Sequence, residues 1–291
     1  MMNKVLTYGE TCHENLILAL GYFDAVHKGH KKVLKKAVDI ANQKNATPSA
    51  LIFIGGKGKK DVFTLPERLK RIFSTGIKTV IVKELSPEFK CTDRIDFLKE
   101  LTSLYNIDGV VSGSDFTFGC GALGNVETLV EYFGQDKVNT EVLEEKSGEK
   151  ISTTAVKKAL EQGDVLTVNT LLDGNYFISG EVIEGKKLGK TLGFPTANIL
   201  IDKTKFEIGA GVYVTFVILN GKIYPSITNC GNQPTVDGEN TVIETYIDGF
   251  SGDLYGKILT VYFVEKIRDI VKFNSLNELK EQLEKDLRSI K

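Results

Sequence analysis

The sequence has little cysteine, few histidines and no long apolar run, and each shortage excludes something. Its four cysteines, Cys12, Cys91, Cys120 and Cys230, are scattered, with no Cys-x-x-Cys pair. That spacing supports neither a disulfide framework nor a zinc site, and reads as reduced thiols in the cytoplasm. Neither sign of charge is in excess, with 37 Lys+Arg against 38 Asp+Glu. Such a balance argues against a polyanion partner such as long nucleic acid. No apolar stretch approaches a membrane span. The first residues reach Glu10 and Glu14 without the apolar core of a signal peptide. There is no internal repeat and no low-complexity segment. What remains is an ordinary globular composition, 42% hydrophobic and 26% charged, in 291 residues. That length favours two domains over one core.

The first half alternates apolar strands with amphipathic helices. Leu16 to Leu20, Ala50 to Ile54, Val80 to Val82 and Val110–Val111 read as buried strands. Val33, Leu34, Ala37, Val38 and Ala41 recur at helical spacing, and Leu65 to Phe73 and Ile95 to Leu104 read as further helices. This rhythm predicts an α/β domain, a parallel sheet covered by helices. Ser152 to Gln162 predicts another helix, stopped at Gly163, and a short helical stretch runs to Leu172. At Asp173-Gly174-Asn175 the pattern changes. We therefore expect domains at 1–172 and 173–291. The second half carries six strand candidates, with Asn220-Gly221 as a hairpin turn, and predicts a small antiparallel barrel. Leu276, Leu279, Leu283 and Leu287 then give one apolar stripe on a charged C-terminal helix.

The densest cluster in the second half runs from Gly185 to Asn198. Gly185, Gly189 and Gly193 stand at intervals of four among Lys186, Lys187 and Lys190. Glycine lets backbone N–H groups approach phosphate oxygens, and lysine adds point charge. The plainer reading is a lysine-bearing surface loop, because no Gly-Lys-Ser/Thr opens a helix here. Pro195-Thr196-Ala197-Asn198 follows at once. Thr196 and Asn198 are two apart on an expected strand and so share a face. Their hydroxyl and amide oxygens are hard neutral ligands suited to a Mg²⁺ already carrying ATP phosphates. The plainer alternative is a pair of polar barrel residues bonding the backbone. Downstream come Asn229-Cys230-Gly231-Asn232-Gln233-Pro234-Thr235, then Glu244-Thr245-Tyr246-Ile247, then Asp253-Leu254-Tyr255-Gly256.

In the first half, Gly21-Tyr22-Phe23-Asp24-Ala25-Val26-His27-Lys28-Gly29-His30 follows the first apolar strand and enters a helix. Two of the three histidines lie here, three residues apart, beside the free N–H groups of a helix start. That end attracts phosphate, and imidazoles there can stabilise charge on an α-phosphate. A capped helix with incidental histidines is the blander reading, and a metal pair lacks a third ligand.

Together the second-half motifs, in this order, resemble the bacterial riboflavin kinase/FAD synthetase family, and the resemblance covers essentially the whole chain. His-x-Gly-His after a strand resembles the nucleotidylyltransferase signature that this family carries in front of its kinase barrel. The resemblance implies a Rossmann-like first domain and a six-stranded Greek-key barrel. It implies a kinase in which flavin and MgATP share one cleft, Glu244 is the general base and Thr196 and Asn198 hold Mg²⁺. It implies ligand contacts at Gly185, Lys187, Gly189, Lys190, Gly193, Pro195, Asn229 and Arg268. For the first domain it implies adenylylation of FMN, with His27 and His30 at the reacting phosphate and contacts at Gly21, Phe23, Asp24, Gly29, Asp115 and the Ser152-Thr153-Thr154 stretch. Riboflavin, FMN and ATP would be substrates and Mg²⁺ the cofactor. Several positions depart from the family pattern. Ala25 stands for a usual Gly, and Ile54-Gly55-Gly56 for Pro-His-Pro. Cys120 replaces a basic residue, and Ala155 and Lys157 stand where two arginines are common. Ile270-Val271 follows Ile267-Arg268-Asp269 where an acidic residue is usual.

The functional classes that stay open are these. The leading one is a riboflavin kinase, with FAD synthetase activity, full or weakened, left open. A second is a kinase-only enzyme, or a flavin-binding regulatory protein, with a vestigial first domain. A third is an adenylyltransferase for another nucleotide. Intact Thr196, Asn198 and Glu244 oppose a decayed second domain, and the kinase motifs oppose the third class.

Overall fold

The structure is a computed structural model that describes residues 3–55, 60–142, 151–185, 193–234 and 241–290. The chain divides into two compact units, Met1–Lys59 with Leu65–Thr153, and Lys60–Thr64 with Thr154–Lys291. In the first unit, β1 (Lys4–Thr7), β2 (Cys12–Gly21), β3 (Thr47–Ile54), β4 (Thr79–Glu84), β5 (Tyr105–Gly113) and β6 (Val138–Glu141) form one sheet in the order β1-β4-β3-β2-β5-β6. Every neighbouring pair is parallel.

The centre of that sheet explains why its sequence reads as an unbroken apolar run. Leu16, Leu18 and Leu20 of β2 face one layer, and Ile17 and Ala19 face the other. A strand covered on both faces has no polar side to show. On one face α1 (Lys28–Lys44) buries Val33, Leu34, Ala37 and Ala41, joined by Ile72 of α2 (Leu65–Phe73). On the other face, past the short α3 (Pro87–Lys90), α4 (Arg94–Leu104) brings Phe97, Leu98 and Leu101, and α5 (Val126–Phe133) brings Leu129.

In the second unit, α6 (Thr153–Gln162) and α7 (Val165–Leu172) precede a closed barrel of β7 (Phe177–Ile183), β8 (Thr196–Leu200), β9 (Gly211–Leu219), β10 (Lys222–Pro234), β11 (Thr241–Ile247) and β12 (Ile258–Arg268). The barrel order is β10-β11-β8-β7-β12-β9, and each pair is antiparallel. Asn220 and Gly221 close the β9–β10 hairpin with positive φ at both positions, the primed turn that this dipeptide favours. Inside the barrel the hydroxyls of Ser226, Thr215, Thr228 and Thr245 bond in a chain of 2.7, 2.9 and 2.9 Å, so these buried groups satisfy one another.

Both preceding helices and the strap Lys60–Thr64 travel with the barrel. Asn169 of α7 donates to the Phe263 carbonyl at 3.0 Å and accepts from the Tyr176 N–H at 2.7 Å. The ammonium of Lys205, a fully buried residue, donates to the Val62 carbonyl at 3.1 Å and lies over the Phe63 and Tyr176 rings. The turn at Asp173-Gly174 therefore falls inside the second unit, whose division from the first comes at the first residue of α6. Finally α8 (Leu276–Arg288) lies on the barrel's outer face, where Leu287, with Ile290 just beyond the helix, meets Val212, Val214, Ile227, Val264 and Ile267.

Candidate functional site

Strand alternation decides which barrel residues can meet a ligand. Thr245 points inward to Thr228, so Glu244 and Tyr246 point outward. Register then lines up one rung across the outer face. Asn198 of β8 stands opposite Glu244 of β11, Glu244 opposite Asn229 of β10, Asn229 opposite Val212 of β9, and Val212 opposite Arg268 of β12. Facing pairs of this kind bring side chains within reach of one another. Two bulges in β12, the second between Lys266 and Arg268, re-aim its end so that Arg268 joins the row.

A cavity of about 160 Å³ opens over this rung. Thr196, Asn229, Glu244 and Arg268 line it together with Phe194, Tyr246, Ile270 and Val271. Leu279, Leu283 and Asp286 of α8 form its other wall. The Asn229 Oδ1 is buried with no hydrogen-bond partner among the described residues, an acceptor that a ligand donor would satisfy. Asn198 shares the outward face of β8 with Thr196 but lies outside the cavity lining. Its amide is packed against Gly185: a Cβ there would stand 2.1 Å from Asn198 Nδ2, so this glycine is required by the contact. Gly193 adopts φ +87°, and Pro195 is exposed. Lys187, Gly189 and Lys190 lie outside the described residues. Among the described residues no group of three or more His, Cys, Asp or Glu stands ready for a metal. Neutral oxygens at Thr196 and Asn198 fit a hard cation that takes its remaining ligands from phosphate and water, as Mg²⁺ does with nucleotides.

The first unit builds its site at the carboxyl ends of parallel strands, where such sheets bind ligands. His27 caps α1, its Nδ1 accepting the His30 N–H at 3.2 Å. The neutral His27 ring then carries its proton on Nε2. The two rings stack at 3.7 Å, and Phe23 meets His30 edge-on at 5.2 Å. Burial pushes His27 down to about 4 and, with the His27 and Arg68 charges, holds His30 well below the ordinary imidazole range. Both are neutral at pH 7. Phe23 and Val26 take left-handed φ of 49° and 44°, whereas Ala25 does not, so alanine in place of the usual glycine asks nothing unusual of the backbone. Gly21 has a packing reason, because a Cβ would meet the Phe23 ring at 2.8 Å.

A cavity of about 710 Å³, within the range of small-molecule sites, is lined by Gly21, Phe23, His30 and Asp115 with Tyr22, Phe53, Phe89, Phe97, Phe116 and Phe118. Asp24, His27 and Gly29 are buried and do not line it. Ser152, Thr153 and Thr154 mark the start of α6, outside it. Lys157 sits in the second unit, its ammonium on the Lys60 carbonyl at 2.7 Å. Sequence reasoning overlooked two arginines of α2. Arg68, fully buried, donates to the carbonyls of Tyr22 and Phe53 at 3.3 and 2.9 Å, and Arg71 donates to that of Val26 at 3.3 Å. They put positive charge behind the motif loop that the absent arginines near Ala155 do not supply.

Two family models match the chain, FAD synthetase over residues 9–155 and riboflavin kinase over 172–291. A bifunctional riboflavin kinase/FMN adenylyltransferase of Bacillus subtilis is 34% identical, over 93% of this chain and 90% of the relative. The chain belongs to the bifunctional riboflavin kinase/FMN adenylyltransferase family. The Escherichia coli K12 member is 31% identical, over 94% of this chain and 91% of its own. A crystal structure described as a macrolide-efflux protein from Streptococcus pneumoniae superimposes with a TM-score of 0.87 at 27% identity, covering 98% of both chains. Among the described residues here no helix is long and apolar enough to cross a membrane. The family's two-domain order matches the two sites found by geometry, one in each unit.

Proposed function

We propose that the barrel unit phosphorylates riboflavin to FMN and that the sheet unit adenylylates FMN to FAD. The observation that carries the first half is that Thr196, Glu244 and Asn229 line one cavity beside apolar side chains, with Asn198 opposite Glu244 on the neighbouring strand. Glu244 takes the proton from the primary hydroxyl of the flavin's tail as that oxygen attacks the γ-phosphoryl group. Asn229 offers an acceptor to the same tail. Thr196 and Asn198 would hold Mg²⁺, which when bound spreads the charge of the transferring phosphoryl group. Phe194, Tyr246, Ile270, Leu279 and Leu283 give a flat apolar ring its slot and keep water from the phosphate.

In the sheet unit the first N–H groups of α1 attract the α-phosphate, and the His27 Nε2–H and the His30 ring add uncharged donors there. Neutral donors fit this task because they stabilise developing charge without having to lose a proton. Arg68 and Arg71 favour the same charge from behind. The aromatic lining of the larger cavity suits the isoalloxazine of FMN.

The test is to incubate the pure protein with riboflavin and MgATP and separate the flavins by chromatography. FMN appearing first and FAD after it supports both assignments. FMN that accumulates with no FAD leaves a kinase carrying a vestigial first unit. No FMN overturns the assignment of the barrel.

A further inference from the structure

We propose that Arg268 and Asp286 form a latch that fixes α8 as the wall of the flavin cavity, and that this pair sets riboflavin affinity through the helix rather than by touching substrate. The inference rests on the kinase reading of the barrel. Its geometry is bidentate. Arg268 Nε donates to Asp286 Oδ1 at 3.0 Å and to Oδ2 at 3.2 Å, and Nη2 donates to Oδ2 at 2.6 Å. Gln282, one turn earlier on α8, donates to Oδ1 at 2.8 Å, and Arg268 Nη1 donates to the Asp269 carbonyl at 3.1 Å. Asp286 is only 4% exposed.

The placement of Asp286 is the informative part. It occupies the same face of α8 as Leu283 and Leu279, three and seven residues before it, both of which line the cavity. A carboxylate on such a face is expensive to bury unless it is fully paired, and an apolar residue would stabilise the helix contact at least as well. What the ion pair adds is position. The contacts of Leu287 and Ile290 with Val212, Val214 and Ile227 are non-directional, and they tolerate rotation or sliding of the helix. A guanidinium fork on a carboxylate admits one arrangement. On its other side the fork belongs to Arg268, which ends the rung that carries Glu244 and Asn229. The latch thus refers the two wall leucines to the strand rung that holds the base.

Arg268 also lines the cavity, so the competing role is direct contact with the flavin, and two variants separate the roles. In the latch, Asp286→Asn loses as Arg268→Lys does, since each breaks the fork. In direct contact, Asp286→Asn frees the guanidinium and riboflavin affinity is kept or rises. The experiment measures riboflavin affinity by quenching of flavin fluorescence, KM for ATP, kcat, and amide exchange of α8, beside a control, Glu284→Ala, on an exposed position of the same helix. We expect both latch variants to bind riboflavin about tenfold more weakly, the scale of a hydrogen-bonded charge pair, while KM for ATP stays within about twofold. Exchange of the α8 amides should rise, and Asp286→Glu should recover part of the affinity. If either main variant fails to fold by circular dichroism, Gln282→Met, which removes only the supporting N–H, should give a smaller loss in the same direction. Unchanged or tighter riboflavin binding in a folded Asp286→Asn protein overturns the latch, as do equal losses for riboflavin and ATP. Absence of riboflavin binding in the wild type would instead overturn the kinase reading on which the latch depends.

Discussion

In the sheet unit the groups assigned to chemistry, His27 and His30, hang from one turn of chain at the start of α1. In the barrel unit Asn198, Glu244, Asn229 and Arg268 come from four different strands and meet only because the register aligns them. The first arrangement is held by local backbone: a ring that caps its own helix, a stack with the next histidine, and two left-handed residues before it. The second is held by the hydrogen-bond ladder and by a helix latched across its face. A site on one turn can be lost or kept by a few neighbouring residues, whereas a rung fails only if a strand slips. A slip by one residue would turn Glu244 into the barrel and Thr245 out of it.

That contrast can be broken at several points, the largest being the integrity of the barrel. The period change at Asp173-Gly174 suggests a fragment beginning near Asn175 as a minimal kinase. Such a fragment loses the Asn169 bonds to Phe263 and Tyr176, together with the strap whose Val62 carbonyl takes the buried Lys205 ammonium. Leaving the buried Tyr176 N–H unpaired costs about 1–3 kcal/mol, a large part of a small domain's stability. We expect the fragment from Asn175 to be aggregated or far less stable in urea than one from Thr154, which lacks the strap as well but keeps the two helices and the Asn169 bonds. Equal unfolding midpoints would show that the barrel stands without them.

A smaller effect is expected at the strand proposed to hold the metal. Thr196→Val and Asn198→Ala should raise the Mg²⁺ concentration needed for half-maximal FMN formation about tenfold or more, and KM for ATP with it, while riboflavin binding changes little. Activity that extra Mg²⁺ never recovers, with ATP affinity intact, would exclude these residues as ligands. The smallest effect concerns the histidine stack. His27 is depressed from 6.5 to about 4 in the folded state, so the unfolded chain takes up its proton first. Its contribution to stability is present above pH 6.5 and is lost as pH falls towards 4, on the order of 1–3 kcal/mol over that window. His27→Asn keeps a good cap but does not titrate, so the melting temperature of the sheet unit should fall less steeply between pH 7 and 4.5 than in the wild type. Identical slopes would show that the stack is not buried in solution as it is here.

Much of the fold was legible because the sequence obeys two clean periods. The helix at Leu65 to Phe73 has the ends its spacing predicts, and the six strand candidates of the second half become the six strands of the barrel. β1 and β6 were missed because each has four residues at a sheet edge, too few to display alternation. Thr196, Glu244 and Asn229 were legible as motif members, but their meeting depends on pairings between β8, β11 and β10 that no local pattern encodes. Asp286 went unread for a related reason: one carboxylate beside a leucine stripe looks like a solvated position until Arg268 is brought to it. Arg68 and Arg71 escaped because a guanidinium on an amphipathic helix is ordinarily exposed, and here both are spent on backbone carbonyls.

If two independent sites act in sequence, crossed variants separate them most directly. Glu244→Gln and His30→Ala are each supplied with riboflavin and, separately, with FMN, and FMN, FAD and pyrophosphate are followed. Glu244→Gln should lose about 10²–10⁴-fold in FMN formation yet still convert supplied FMN to FAD. His30→Ala should make FMN at the wild-type rate and fail to carry it on. If Glu244→Gln also abolishes FAD formation from FMN, or if FMN formation survives it at a near-normal rate, the assignment of one reaction to each unit is wrong.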